Sequence, residues 1–479
     1  MSSPQLAKTI GLWSATTLVI GSVIGSSIFM KPATMAAQLS SPHMLIIVWI
    51  IAGLVSMFGA MAYAELGTMF PETGGQYVYL RYAYNDLVAY LYGWSSMAVI
   101  NTAAIAAVGF VFASYAEYFI SLPRFSAATE QSVVLHIPFV GDILPLQNFG
   151  VKGLAILMIL FLTLVNYISV RSSNAIQFLA TVFKVAVILI LVLGIFFSGK
   201  GDTQNFITNV PEFDLSRWQL LGAFMAATTG AFAAYDGWNN LNMVAGEIKN
   251  PQRNITRSLI MGLWACIIIY VLVTLAYMYV LPIDTMAKSK LVASDAIGKA
   301  LGNIGGSIVA ILIIVSTFGA TSANLLANAR VVFAMGESKT FFSQTAKVHP
   351  KYKTPGNAVI ILGIWSSLLV LSGSFDLLAD MFIFVSWIFY GLVIFGLFIL
   401  RIKMPGKERP YKAWGYPVVP FIFLVFTVIY IATTLYNDIN NYVQNRSPFI
   451  NSVFGLILTA IGIPLYFYFK AKNKKKTGP

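Results

Sequence analysis

Charge is what this sequence has least of. Only 10% of its 479 residues are Asp, Glu, Lys or Arg, against about a quarter in a soluble protein. With 58% of residues hydrophobic and a mean hydropathy of +0.76, the apolar runs could not all be buried in one soluble core. A single cysteine, Cys266, excludes a disulfide within the chain. It lies inside an apolar run, where a small buried filler is the plain reading. The three histidines, His43, His136 and His349, are scattered over loops and span ends. No metal cluster is expected, and no nucleophile–base pair or phosphate loop is present. No cofactor is expected, and an integral-membrane enzyme is the least favoured class. A channel is disfavoured because no repeated ring of charge is visible.

What is abundant is long apolar sequence. A span needs about 20 apolar residues to cross a hydrocarbon core of about 30 Å. Twelve runs qualify, at roughly 12–37, 43–69, 86–121, 150–169, 174–198, 217–246, 256–281, 304–333, 357–374, 379–401, 417–436 and 450–470. The first run is too long for a cleavable signal peptide, has Gly and Ser at its centre and lacks a basic stretch before it. The expectation is an all-α membrane protein of about twelve transmembrane helices, forming one membrane domain and no soluble domain.

Lys and Arg sort by side. With both termini inside, Lys31, Arg124, Lys152, Lys200, Arg217, Lys288, Lys290, Lys299 and Arg446 fall outside. Lys184 falls within the membrane, and the other 21 of the 31 fall inside. This is the positive-inside pattern. It predicts a multi-pass protein of the cell membrane with an even number of spans and cytoplasmic termini. The net charge of +13 therefore points to the bilayer and not to nucleic acid. The basic tail Lys470–Lys476 is expected on the anionic inner leaflet.

Two spans are broken near their middle by groups that are expensive at bilayer depth. In the first run the interruption is Gly21-Ser22-Val23-Ile24-Gly25-Ser26-Ser27-Ile28-Phe29. In the sixth it is Tyr235-Asp236-Gly237-Trp238-Asn239-Asn240. Interrupted spans at matching places in two halves point to the substrate site of a secondary transporter. Runs one to five (12–202) and six to ten (217–401) match as such halves. Five spans per half is an odd number, so the repeats would be inverted. The last two runs (417–470) look like an appendage for packing or dimerisation.

The chemistry follows from the ends of broken helices. Unpaired N–H groups near Gly25, Ser26 and Ser27 suit a carboxylate at the positive end of a resumed half-helix. Gly21-x-x-x-Gly25 also fits a small-residue packing face. Carbonyls freed near Ala233–Gly237 suit an ammonium group, and the two sites together describe an α-amino acid. Asp236 either reads a cation or titrates, or it caps the resumed half-helix. Lys184, in the fifth run, is either a fixed cation bridging helices, a proton carrier, or a snorkelling side chain. Hydroxyls of the eighth run, Ser316 and Thr317 among them, either accept from Lys184 or tie helices together. Tyr63–Thr68 and Pro71–Tyr77 lie at an inner span end, where Pro and Gly favour a loop or a re-entrant turn.

At these residues the chain resembles the amino acid–polyamine–organocation (APC) superfamily, most like the bacterial members of its L-type amino acid transporter branch. The matching pieces are GSVIGSSIF at 21–29, AYAELGTMFPETGGQYVYL at 62–80, Lys184, AYDGWNNLNMVAGEIKNPQRNI at 234–255 and STFGATSANLLANARVVFAMGE at 316–337. The resemblance implies the five-plus-five inverted-repeat (LeuT-like) fold with discontinuous helices one and six. It also implies alternating access and sodium-independent exchange of neutral amino acids. It places substrate contacts at Ser22, Ile24, Gly25, Ser26 and Ser27, and at Phe232, Ala233, Ala234 and Asp236. It places coupling at Lys184, Ser316 and Thr317. Ser27 stands where the family has a glycine. The family's aromatic gate falls on Ala233 or Ala234, with Phe232 the nearest ring. Residues 122–149 lack the cysteine through which eukaryotic members join a glycoprotein subunit, so no disulfide-linked partner is expected. Two alternatives stay open: a proton-coupled symporter with Lys184 as the switch, with cationic amino acids as a variant cargo, and a non-transporting amino acid sensor.

Overall fold

The computed structural model describes residues 10–71, 74–168, 173–207, 217–352 and 354–476. Lys8, Glu72, Thr73, Arg171 and Lys353, which figured in the charge count and the expected turn, lie outside the described residues. So do the side chains of Arg217 and of Lys474–Lys476.

Each apolar run is helical. Among the described residues, eight helices are long and apolar enough to cross a membrane: Pro42–Met69, Asp86–Ala116, Phe149–Ile168, Pro251–Val280, Asn303–Glu337, Phe375–Lys403, Val418–Val443 and Asn451–Lys472. The other four runs form Ser173–Phe196, Gly356–Ser372 and the two broken spans. Prolines open several helices where their missing N–H costs nothing, as at Pro42 and Pro251. The all-α expectation needs one local correction. In the loop at 122–149 an antiparallel hairpin pairs Leu135–Ile137 with Gly141–Ile143, and His136 Nδ1 lies 2.7 Å from Asp142 Oδ1. Val140, Ile143 and Phe449 give this hairpin its own small apolar core.

The chain divides into two compact units, each drawing on both ends of the sequence. The first comprises Met1–Tyr92, Gly201–Lys288 and Trp387–Thr433. Within it, Leu12–Val23 and Pro42–Met69 both pack on Pro251–Val280, and Arg217–Tyr235 packs on Lys31–Leu39 and Pro42–Met69. Close approach is set by glycine. A Cβ on Gly262 would sit 2.6 Å from Val19, and one on Gly53 would sit 2.4 Å from Ile267. Helix packing by small residues is thus located at Gly53 and Gly262. Gly25 has open space, its nearest neighbour being Val23 O at 3.9 Å. Lys31, counted with the outer-side cations, is buried in the resumed half of the first span.

The second unit comprises Gly93–Lys200, Ser289–Ser386 and Thr434–Pro479. Here Asn303–Glu337 packs on Asn101–Ala116, Phe149–Ile168 and Ser173–Phe196, and Gly356–Ser372 packs on Phe149–Ile168. Asn166 donates to Ser322 O at 3.2 Å, a polar tie between two spans. Lys152, also counted with the outer-side cations, is buried and donates to the carbonyls of Leu144 (2.7 Å) and Leu371 (3.2 Å).

One ionic knot orders an end of the first unit. Glu65 is fully buried and accepts from Arg401 through both oxygens (3.0 and 2.6 Å) and from the Ala413 N–H at 2.7 Å. Arg409 Nε lies 3.3 Å away. Arg409 also donates to the carbonyls of Leu400, Met404, Pro405 and Lys407, drawing the charged loop into a closed turn. Breaking such a knot from one side leaves two arginines without their counter-charge. Glu65→Gln is expected to cost about 3 kcal/mol, at the lower edge of the buried-pair range because Arg401 is partly exposed. Thermal unfolding of the purified protein in detergent checks this; an unchanged transition would remove the knot from the stability argument.

Candidate functional site

The first span stops at Val23. Ile24 is extended (φ −69°, ψ 97°), Ser27–Phe29 form a 3₁₀ turn, and the helix resumes at Lys31–Leu39 with Pro32 near its start. The sixth span stops at Tyr235, turns at Gly237 (φ +101°) and resumes only as Asn240–Met243. Both interruptions expected from the sequence are present.

The structure brings the two breaks together within the first unit. The Gly237 backbone lies against the Ser22 carbonyl so closely that a Cβ there would sit 2.6 Å from the oxygen. Positive φ and lack of space both demand glycine at this position. Ser27 Oγ donates to Ala233 O at 3.2 Å. The Tyr270 hydroxyl lies 2.9 Å from Val23 O and 2.8 Å from Ala234 O, and its oxygen accepts from the Gly25 N–H. One phenol from the seventh run therefore answers orphan backbone groups of both breaks. Tyr270 sits among Trp49 and Tyr235, whose own hydroxyl donates to Trp49 O at 3.0 Å.

What remains unanswered is the part available to a ligand. Among the described hydrogen bonds, the backbone N–H groups of Ser26 and Ser27 reach no acceptor, in keeping with a carboxylate cradle. The Ala233 and Ala234 carbonyls are already engaged by hydroxyls.

Asp236 is not the cap of the resumed helix. That position belongs to Asn239, which makes no side-chain cap bond. The Asp236 carboxylate instead accepts from the Tyr390 hydroxyl at 2.5 Å and from the Gly237 N–H. Tyr390 also lies 3.3 Å from Asn239 Oδ1, and its ring packs on Trp238 and Tyr63. Phe232, the ring nearest the expected gate, is fully buried. Its ring centroid lies 3.8 Å from that of Trp387 with the planes tilted by 33°, and it is set edge-on to Phe426 and Tyr430.

The coupling residues belong to the second unit. Lys184 is half-buried in Ser173–Phe196, beside the helix that carries Ser316 and Thr317. Thr317 donates to its own helix, at Ile313 O (2.8 Å) and Ile314 O (3.0 Å), which leaves its lone pairs as acceptors.

Tyr270 and Tyr390 were missed by sequence reasoning. Their one signal is a phenol in the middle of an apolar span, where a buried hydroxyl needs a partner. Tyr270→Phe removes the hydroxyl and keeps the ring, so three backbone groups lose a partner. A loss of about 1–3 kcal/mol is expected, together with faster amide exchange at Gly25. Exchange at Gly25 as slow as in the wild type would show that the phenol holds nothing.

The chain matches the amino acid permease family over residues 10–461. It is 30% identical to the serine/threonine exchanger SteT of Bacillus subtilis, over 98% of this chain and 98% of that protein. It is 30% identical to the human cystine/glutamate transporter, over 98% of this chain and 87% of its length. It is also 30% identical to the human b(0,+)-type amino acid transporter 1, over 89% and 82%. With an extended match and two broken spans held side by side, the chain belongs to the amino acid permease family and is a multi-pass membrane protein.

Proposed function

We propose that this protein exchanges neutral L-amino acids across the cell membrane, without sodium, by alternating access. The observation that carries the reading is the pairing of the two breaks, with the Ser26 and Ser27 N–H groups left open beside it. A zwitterion entering the bilayer loses its hydration, and opposed helix ends, each worth about half a charge, offset that loss. The relatives named above include a serine/threonine exchanger and a cystine/glutamate transporter, which supports amino acids as cargo and exchange as the mode. Small residues at Ser27, Ala233 and Ala234 favour a small substrate.

In this reading Ser22, Ile24, Gly25, Ser26 and Ser27 hold the carboxylate end. Phe232, Ala233, Ala234 and Asp236 hold the ammonium end. Lys184, with Ser316 and Thr317, acts as a fixed cation that couples the site to reorientation. The five-plus-five inverted repeat (12–202 and 217–401) supplies the symmetry for the two access states. Both termini lie in the cytoplasm, and the protein works without a disulfide-linked subunit, since Cys266 is buried in a span. It performs no chemistry on its cargo. A second reading keeps the cargo and makes Lys184 a proton switch, supported by its position inside a span.

Uptake of labelled amino acids into sodium-free proteoliposomes tests the proposal. Uptake that requires lumenal amino acid is the expected result; uptake into empty vesicles driven by a proton gradient would replace exchange with symport. Binding without any flux would make the protein a sensor. Lys184→Ala is expected to abolish or uncouple exchange in a folded protein, and wild-type flux would end its coupling role. Asp236→Asn is expected to shift preference between alanine and arginine at least several-fold, and an unchanged ratio would limit Asp236 to holding Tyr390.

A further inference from the structure

A second polar feature of the first unit involves none of the residues assigned to the amino acid site. The short helix Gln76–Ala83 joins the end of the span Pro42–Met69 to the start of Asp86–Ala116. A segment between two consecutive span ends lies at a membrane–water boundary. At its elbow is a half-open cleft of about 500 Å³ lined by Tyr77, Val78, Arg81, Tyr82, Asn85 and Asp86.

Three cations converge on this elbow from two separate segments. Arg81 is 63% exposed and gives only its Nε to Asp86, at 2.8 Å. The Lys407 ammonium stands 4.1 Å over the Phe70 ring and 5.6 Å over the Tyr82 ring, and those two rings are stacked 4.4 Å apart. Lys403 donates to Ala83 O at 2.9 Å. Among the described residues, the acidic groups in these segments are Asp86, already paired, and the exposed Glu408 next to Lys407. Cations held over aromatic rings at the edge of a bilayer, beside an apolar Val78, fit a ligand with an anionic head and apolar tails.

We propose that this elbow is a binding site for the phosphodiester headgroup of an anionic phospholipid. The guanidinium of Arg81 offers its remaining N–H donors to phosphate oxygens. Lys407, 5.6 Å over the Tyr82 ring, supplies a second charge, and the Tyr82 and Val78 surfaces take the first part of the acyl chains. The inference rests on the chain spanning a bilayer and not on amino acid exchange.

Native mass spectrometry of the full-length protein in detergent, titrated with phosphatidylglycerol or phosphatidylcholine, tests it. Selective retention of phosphatidylglycerol is expected. Arg81→Gln and Lys407→Gln should each weaken it about five-fold, the factor that corresponds to ~1 kcal/mol per surface cation. Both changes are at exposed positions, and the unfolding temperature of each variant is measured alongside. Inorganic phosphate in excess is expected not to displace the lipid. Equal retention of the two lipids, wild-type retention in both variants, or full displacement by inorganic phosphate would each overturn the assignment. Loss of all preference in Lys472→Gln would do so too, by moving the site to the basic tail. Lipid retention is read without transport, so failure of the exchange reading leaves this result intact.

Discussion

Two interrupted helices inside a bilayer present backbone groups that water cannot reach, and each unmet group costs several kcal/mol. The structure answers this by placing the two breaks against each other. Gly237 meets the Ser22 carbonyl, Ser27 meets Ala233, and the Tyr270 phenol meets Val23, Ala234 and Gly25. Much of the first unit is arranged to make that possible. The helix Pro251–Val280 must lie close enough for a phenol to reach both breaks, and it does so because Gly262 admits Val19 and Gly53 admits Ile267. A larger residue at either glycine would push the seventh span outward and move the Tyr270 oxygen beyond hydrogen-bonding range.

This mutual satisfaction is incomplete in a directed way. Hydroxyls cover the carbonyls of Ala233 and Ala234, while among the described hydrogen bonds the N–H groups of Ser26 and Ser27 reach no acceptor. A site fully satisfied by protein would have no affinity left for a ligand. One with every group open would be too costly to hold together. Under the proposed function, this balance would leave donors for an anion and acceptors that a substrate ammonium could win from hydroxyls. Such an exchange of partners would move the two break ends when the cargo arrives, as alternating access requires.

Much of this was legible in the sequence, because a membrane makes local composition decisive. All twelve apolar runs became helices, and both breaks were visible as small and polar residues at mid-span. Their partners were not legible. Tyr270 and Tyr390 count as apolar in a hydropathy window, and their hydroxyls bond to groups far away in the chain, 247 residues for Tyr270 and Val23 and 154 for Tyr390 and Asp236. Lys31 and Lys152 fall on the outer side in a count of charges, and such a count does not register burial. Burial of Lys152 depends on carbonyls, one of which lies 219 residues away. The hairpin at Leu135–Ile143 escaped because its strands are three residues long, too short for an alternating pattern to stand out. The assignment of runs one, two, six and seven to one unit also depends on contacts that no window along the chain can see.

Asp236 shows why the environment of a charge matters more than its presence. Among the described contacts its carboxylate meets a phenol and a backbone N–H, with no cation paired to it. A neutral donor positions the carboxylate but does not cancel its charge, and Asp236 is only partly exposed beside the buried rings of Tyr63, Trp238 and Tyr390. An uncancelled charge beside such rings attracts a cation more strongly than it would in open water, because Coulomb attraction grows as the local dielectric falls. A substrate ammonium is one such cation, and the side-chain charge of a basic amino acid is another. Tyr390 therefore acts on direction and not on charge: its bond fixes which way the carboxylate points, and under the proposed function it would set the side from which a cation approaches Asp236.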